Sequence, residues 1–269
     1  MADTQKTHLN GSGLHYSSSN NCKDISAPPV DEETLSRLES LMNEFFYPNT
    51  SNERKRQIES ILSEFSSMPN SWQASFLYFE LSSNEYTQMF CLTVIETFIN
   101  QRWHTVPSDM RATFRNSLWN HLMEHQAQMT NPIRNKFCKI MVSIARFDWP
   151  YAYADYMTNV LELLTPENVH NIAHSSTHSL ILLSLNLLGM TVEELTSPSC
   201  NNHFSSNRQV ELIKLVESNL PAMLHSLTAL LEVIISKQIN FISATPPPSP
   251  TSSPSSTFGN LNKGMPIQD

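Results

Sequence analysis

Glycine is what this chain has least of. Five occur in 269 residues, and Gly189 is the only one between Gly13 and Gly259. Hairpin turns need a positive φ and recruit Gly to supply it. A chain so poor in Gly has few places for such turns, so an architecture of many short strands is excluded and an all-α fold is predicted. The same scarcity excludes a Gly-rich phosphate loop and a Gly-x-Ser-x-Gly nucleophile elbow. Cysteine is also sparse. Cys22, Cys91, Cys138 and Cys200 are scattered, with no Cys-x-x-Cys spacing. That predicts a reducing compartment rather than a disulfide framework. Cys91 and Cys138 fall inside helical patterns and read as buried thiols. Basic residues are outnumbered, 17 Lys and Arg against 25 Asp and Glu, for a net charge of -8. No basic footprint for a nucleic-acid partner exists at that balance. The apolar-rich run 180–190, LILLSLNLLGM, is shorter than the roughly 20 residues of a membrane span, so no membrane partner is expected. The start, MADTQKTHLNGSG, has no signal-peptide design, and the sequons at Asn10 and Asn49 are expected to stay unused.

Apolar residues at helical spacing are abundant, and hydrophobic types make up 40% of the chain. The pattern predicts a train of helices at about 31–46, 50–67, 71–82, 84–104, 108–129, 131–147, 149–164, 168–188 and 207–242. Thr50-Ser51-Asn52-Glu53 reads as a capping box, Asn131-Pro132 as a helix start, and Gly189 as a helix C-cap. Pro221 should kink or split the last helix. The helices pair over 31–68, 70–105, 107–149 and 150–196, the length of two-helix HEAT-like repeats that stack into a solenoid. An irregular helical bundle is the alternative. Trp103 with Pro107, and Trp149 with Pro150, mark the same point of two units. Residues 1–30 and the Pro/Ser-rich 243–269 have the composition of disordered extensions.

Three groups of residues carry possible chemistry. His121-Leu-Met-Glu-His125 matches HxxEH, a zinc-hydrolase pattern. However, Leu118, His121, Leu122, His125 and Met129 share one helical face, so the histidines read as packing at the edge of the core. No catalytic residue and no metal ligand is assigned, and the chain is not expected to be an enzyme. His170, His174 and His178 recur every fourth residue in the predicted helix 168–188, so one face could present three imidazoles to a transition metal, although no Cys or carboxylate completes a site, and solvated histidines are the favoured reading. The third group is basic. In NPIRNKFCKIMVSIARFDWP (131–150), Ile133, Phe137, Ile140, Met141, Ile144 and Phe147 lie on one side, and Lys136, Lys139 and Arg146 on the other, with Arg134 between. No acid lies between Ile133 and Phe147, so the stripe reads either as a solvated face or as an uncompensated surface for an acidic partner. Thr245, Ser249 and Ser253, each before Pro, are candidates for proline-directed phosphorylation.

The segments LESLMNEFFYPNTSNERKRQIESILSEF, SWQASFLYF, VIETFINQRWHTVP and IRNKFCKIMVSIARFDWP together resemble the N-terminus of importin-β-family transport receptors. Arg146-Phe-Asp-Trp149-Pro150 resembles the exportin branch. The resemblance spans about 33–255 and implies a truncated HEAT-repeat α-solenoid, with importin-β N-terminal-like repeats over 31–105 and exportin-like repeats over 106–242. It implies a nuclear export receptor that shuttles between nucleus and cytoplasm. The implied partners are Ran in its GTP form, a protein cargo (actin with profilin) and nucleoporins. It implies no cofactor. The family's Ran site uses the inner helices of the first repeats, here about 50–67, 84–104 and 131–147, so Lys136, Lys139, Arg146, Arg134, Arg102 and Glu96 become candidate contacts. Such receptors are several times longer, so the chain is expected to be an N-terminal portion of one. A helical scaffold for some other acidic protein is the competing expectation.

Overall fold

The computed structural model describes residues 31–197 and 204–244, with side chains through 237. The extension 1–30, Cys22, Cys200 and the candidate phosphorylation sites lie outside these residues. Among the described residues every regular element is a helix. α1 (Glu32–Phe46) starts at Asp31, whose carboxylate accepts the Glu33 N–H at 3.1 Å. α2 (Asn52–Ser67) starts at Ser51, whose hydroxyl accepts the Arg54 N–H at 3.2 Å. The expected box from Thr50 to Glu53 does not form. Thr50 instead donates its hydroxyl to the Glu44 carbonyl at 2.5 Å, which ties the end of α1 to the start of α2. α3 (Ser71–Leu81) and α4 (Glu85–Arg102) follow, and a single 3-10 turn closes the pair at Trp103–Thr105. α5 (Ser108–His125) and α6 (Asn131–Asp148) form the next pair.

α7 (Tyr156–Glu162), α8 (Pro166–His170), α9 (Ser175–Thr196) and α10 (Ser206–Ala244) complete the order. The helices stack as repeats rather than as an irregular bundle. α4 packs on α6, α6 on α9 and α9 on α10, which makes one layer. α3 lies against α4, α5 against α6, and α7 and α8 against α9, with α1 touching α2 and α4. Apolar faces explain the stacking. Ile95, Ile99, Phe137, Ile140, Ile144, Leu183 and Leu187 are buried where the layer's helices meet, and removing such side chains from water contributes about 1.5–3 kcal/mol each. Three of the tryptophans are packing anchors. Trp72 stacks on Phe98 at 4.7 Å and meets Phe114 edge-on, Trp103 is fully buried, and Trp149 packs on Tyr156.

Periodicity misreads the region after Trp149. The predicted helix at 149–164 begins only at Tyr156, because the Asp148 carbonyl takes the N–H groups of Ala152 and Tyr153 and closes the chain into turns. The predicted helix at 168–188 is two helices. α8 ends at His170, and His174 is the N-cap of α9. His170, His174 and His178 therefore do not share one helical face. Gly189 is no cap: α9 runs through it to Thr196, held by buried Leu188, Thr191 and Leu195 on either side. The space beside Gly189 is open, with nothing within 4 Å of an added Cβ. Gly189→Ala is expected to raise unfolding stability by about 0.5–1 kcal/mol, since it removes backbone freedom from the unfolded chain without a clash. A rise in the urea midpoint at unchanged slope checks this.

α10 is likewise continuous across Pro221 and extends to Ala244, two residues into the segment assigned to the tail. Pro removes one backbone hydrogen bond. Leu212 and Val216 before it and Met223 and Leu230 after it are buried along the same helix, and their burial outweighs that loss. Pro221 itself is exposed. By length and composition, Ser175–Thr196 and Ser206–Lys237 are long and apolar enough to cross a membrane, so the short run 180–190 understated its helix. α9 meets these criteria as a helix of the packed layer, with Ser184 and Thr191 hydroxyls bonded internally. α10 leaves Leu220, Leu224, Leu231 and Ile235 exposed along one stripe.

Candidate functional site

The basic face of α6 is where the structure departs most from the one-helix view. Ile133, Phe137, Ile140, Met141 and Ile144 are buried, and α4 and α9 flank the helix on its two sides. Those neighbours bring carboxylates. Lys136 donates to Glu96 of α4. Lys139 sits 3.6 Å from Glu96 and 3.6 Å from Glu194 of α9. Arg146 lies 3.5 Å from Glu194 and donates to the Asn100 side chain at 2.7 Å. Asn186 of α9 donates to Asn135 at 2.7 Å. The expected uncompensated surface is therefore a charge ladder that runs across three stacked helices. The correction has a simple cause: counting acids along α6 cannot see acids that stacking places opposite it.

The ladder is graded in exposure. Arg146 is 8% exposed and Glu96 13%, whereas Lys139 is 46% exposed. Lys139 is also beyond hydrogen-bond distance of both its carboxylates. It is the cation of the ladder that a partner can reach. Arg134 is not in the ladder; it turns to the Gln126 carbonyl and the Asn131 side chain at the α5–α6 junction. Arg102 is also apart. It is exposed at the end of α4, on a groove of about 270 Å³ between α2 and α4 that Ser63, Ser67 and Thr97 also line. Glu194 and Asn100 belong to the site but carry no sequence signal of their own.

Below the ladder the end of α6 is pinned by a second cluster. The Asp148 side chain is fully buried and accepts from Arg111 at 2.8 Å and Arg115 at 3.5 Å. Arg115 also donates to the Ala152 carbonyl at 2.8 Å, and its guanidinium lies 4.4 Å from the Tyr153 ring. Arg208 of α10 donates to the Arg146 carbonyl at 2.8 Å and to the Trp149 carbonyl. Carbonyls at a helix C-terminus have no partner within the helix, and Arg208 supplies one. The Arg146–Pro150 segment thus joins α5, α6 and α10.

The HxxEH residues lie on α5, with His121 among aromatic rings. The His121 ring packs against Phe76, Phe79 and Phe137 and stacks on His125 at 4.3 Å. Its Nδ1 lies 3.1 Å from Glu80, and the His125 Nδ1 lies 3.1 Å from the His121 carbonyl. Glu124 is exposed. Among the described residues no three metal-ligating side chains gather. Cys91 and Cys138 are buried, and burial pushes each thiol up to about 12.

Comparison with known proteins follows this geometry. The family model described as importin-beta N-terminal domain matches residues 58–124, and the one described as exportin 1-like protein matches 130–255. The two meet between α5 and α6, beside the ladder. Exportin-6 of Danio rerio is 40% identical over 222 residues, which cover 82% of this chain and 18% of that protein. Exportin-6 of Homo sapiens is 38% identical over 251 residues, 89% of this chain and 21% of the relative. Exportin-1 of Schizosaccharomyces pombe is 22% identical over 162 residues. The chain spans about a fifth of the length of the exportin-6 relatives it matches. With two adjoining domain models and such relatives matched across the repeats described above, the chain belongs to the exportin branch of the importin-β family.

Proposed function

We propose that this chain forms the Ran-binding N-terminal repeats of a nuclear export receptor. The observation that carries the reading is the half-exposed Lys139, framed by Glu96 and Glu194 on the α4–α6–α9 layer of a chain that matches the importin-beta N-terminal domain. A partner that docks there meets one reachable cation between two carboxylates, so it must present an acid flanked by donors. Such a mixed pattern fixes register and selects against wrong partners. A generic scaffold for a uniformly acidic partner fits less well, because Lys136 and Arg146 are already paired. Lys136, Arg146 and Glu96 act in this proposal as the frame and Lys139 as a contact, with Arg102 a second contact at the α2–α4 groove. Arg134 stands outside it. The repeats divide at 31–105 and 106–242, the whole protein shuttles between nucleus and cytoplasm, and its cargo is actin with profilin, as the resemblance implies. Nucleoporins complete the partners.

The test is binding of the full 269-residue chain to Ran loaded with a non-hydrolysable GTP analogue and to Ran with GDP. Preference for the GTP form is expected, with Lys139→Ala weakening it by about tenfold, or 1.4 kcal/mol. Equal binding to both nucleotide states would overturn the proposal.

A further inference from the structure

Two imidazoles on α5 are held in the form that binds a metal. His121 and His125 are four residues apart, so they leave one face of the helix on successive turns. Their rings lie 4.3 Å apart and are inclined by 23°. Each Nδ1 faces an oxygen at 3.1 Å. That of His121 meets the Glu80 carboxylate on α3, and that of His125 meets the His121 carbonyl. Carboxylate and carbonyl oxygens accept, so both Nδ1 atoms carry the hydrogen and donate it. A neutral imidazole of that tautomer keeps its lone pair on Nε2. His125 is exposed, and the His121 Nε2 is not among the side-chain atoms buried without a partner. We propose that His121 and His125 bind one divalent transition-metal ion, of the zinc or copper kind, through their Nε2 atoms.

The donor set selects the ion. Imidazole suits zinc, copper and nickel, whereas calcium and magnesium take oxygen ligands. Rings already inclined toward each other can converge on one ion at the usual Zn–N length of about 2.0–2.1 Å, since His125 is free to turn on the solvent side. The outer partners are those of a ligating histidine. A carboxylate or a carbonyl on Nδ1 fixes the tautomer and the ring and raises the basicity of Nε2. His121 is held more firmly of the two. Its side chain is 12% exposed, and Phe76, Phe79 and Phe137 pack against the ring. Through Glu80 the ion would also tie α5 to α3. No third His, Cys, Asp or Glu joins the pair among the described residues, so water fills the remaining positions. Catalytic zinc sites have three protein ligands, so this two-imidazole site differs from an HxxEH hydrolase centre. It is independent of the charge ladder on α6.

Calorimetric titration of the metal-free full chain with zinc chloride is expected to show one site tighter than the rest. His125→Ala and His121→Phe are each expected to abolish it. The first changes an exposed side chain, and the second keeps an aromatic ring among Phe76, Phe79 and Phe137, so both variants keep the fold. Glu80→Gln, which alters only an outer partner, is expected to weaken zinc binding by about tenfold. His174→Ala/His178→Ala, at another pair of the same spacing, is expected to leave the site unchanged. Copper(II) is expected to bind the site more tightly than zinc. A zinc isotherm with no tighter site, a tight site that survives His125→Ala, its loss in His174→Ala/His178→Ala, or an affinity unchanged by Glu80→Gln would each overturn the proposal.

Discussion

Replacing Asp148 with alanine is expected to destabilise the chain by about 3–5 kcal/mol, the cost of breaking a buried ion pair by removing one partner. The carboxylate is 0% exposed and holds two guanidinium groups, those of Arg111 and Arg115. Arg115 is itself 9% exposed, and its Nε is buried without a hydrogen-bond partner. With Asp148 gone, a nearly buried cation keeps only the Ala152 carbonyl and the Tyr153 ring. Neither neutralises it. Desolvation then acts unopposed, and salt in the buffer offers little relief because the cluster is shielded from solvent. Asp148→Asn retains an acceptor of the same shape and is expected to fall between wild type and alanine. Urea unfolding of the three proteins reads the order directly. A loss under about 1 kcal/mol for alanine would place the pair among exposed, weakly contributing ones and would remove its role as the pin of α6.

Location raises the consequence of that loss. Asp148 is the last residue of α6, and the Arg146 and Trp149 carbonyls beside it are held by Arg208 of α10. The cluster is therefore a joint between repeats, not decoration on one helix. In a stacked array stability is a sum of units and nearest-neighbour interfaces, so damage at one joint separates what lies on either side. A broken joint at Asp148 loosens the hold of α6 on α10, which α9, α8 and α7 still pack against.

How much of this was legible depends on the range of the interaction that sets each feature. α6 was readable almost to the residue: its apolar stripe, Pro132 near its start and Pro150 after its end are local signals, and it spans Asn131–Asp148. The repeat pairing was readable too, because helix length and spacing set it. The region from 149 to 189 was not. His170, His174 and His178 fit one helical period, yet the Asn171–His174 turn divides them, and that turn is a tertiary choice. Gly189 looked like a stop because Gly favours caps, but helical packing on both sides overrides that preference. At the site the cations were visible and their partners were not. Glu96 is 40 residues from Lys136, and Glu194 is 48 from Arg146. No pattern along one helix announces an acid that far away.

Exchanging the charges of Glu96 and Lys136 separates framework from contact. Either single change, Glu96→Lys or Lys136→Glu, sets like charges face to face across α4 and α6 at sites 13% and 21% exposed. Each is expected to cost about 2 kcal/mol, more than an exposed pair and less than a fully buried one. Glu96→Lys is the harsher of the two, since the new ammonium also confronts Lys139, which keeps only Glu194. Combining both changes restores an opposite-charge pair, and a double-mutant cycle is expected to return a coupling of about 1–3 kcal/mol. The functional reading then rests on the swapped protein, which is folded and carries the same net charge. If the GTP form of Ran touches Lys139 and merely needs the ladder to hold α4, α6 and α9 in register, the swap binds close to wild type while each single variant binds weakly. If Ran instead contacts Lys136 or Glu96 directly, the swap stays stable and loses binding, because the sign at each position has changed. Stability and affinity move together in the first case and part in the second, so one set of four proteins tells a clamp between repeats from a surface that a partner reads.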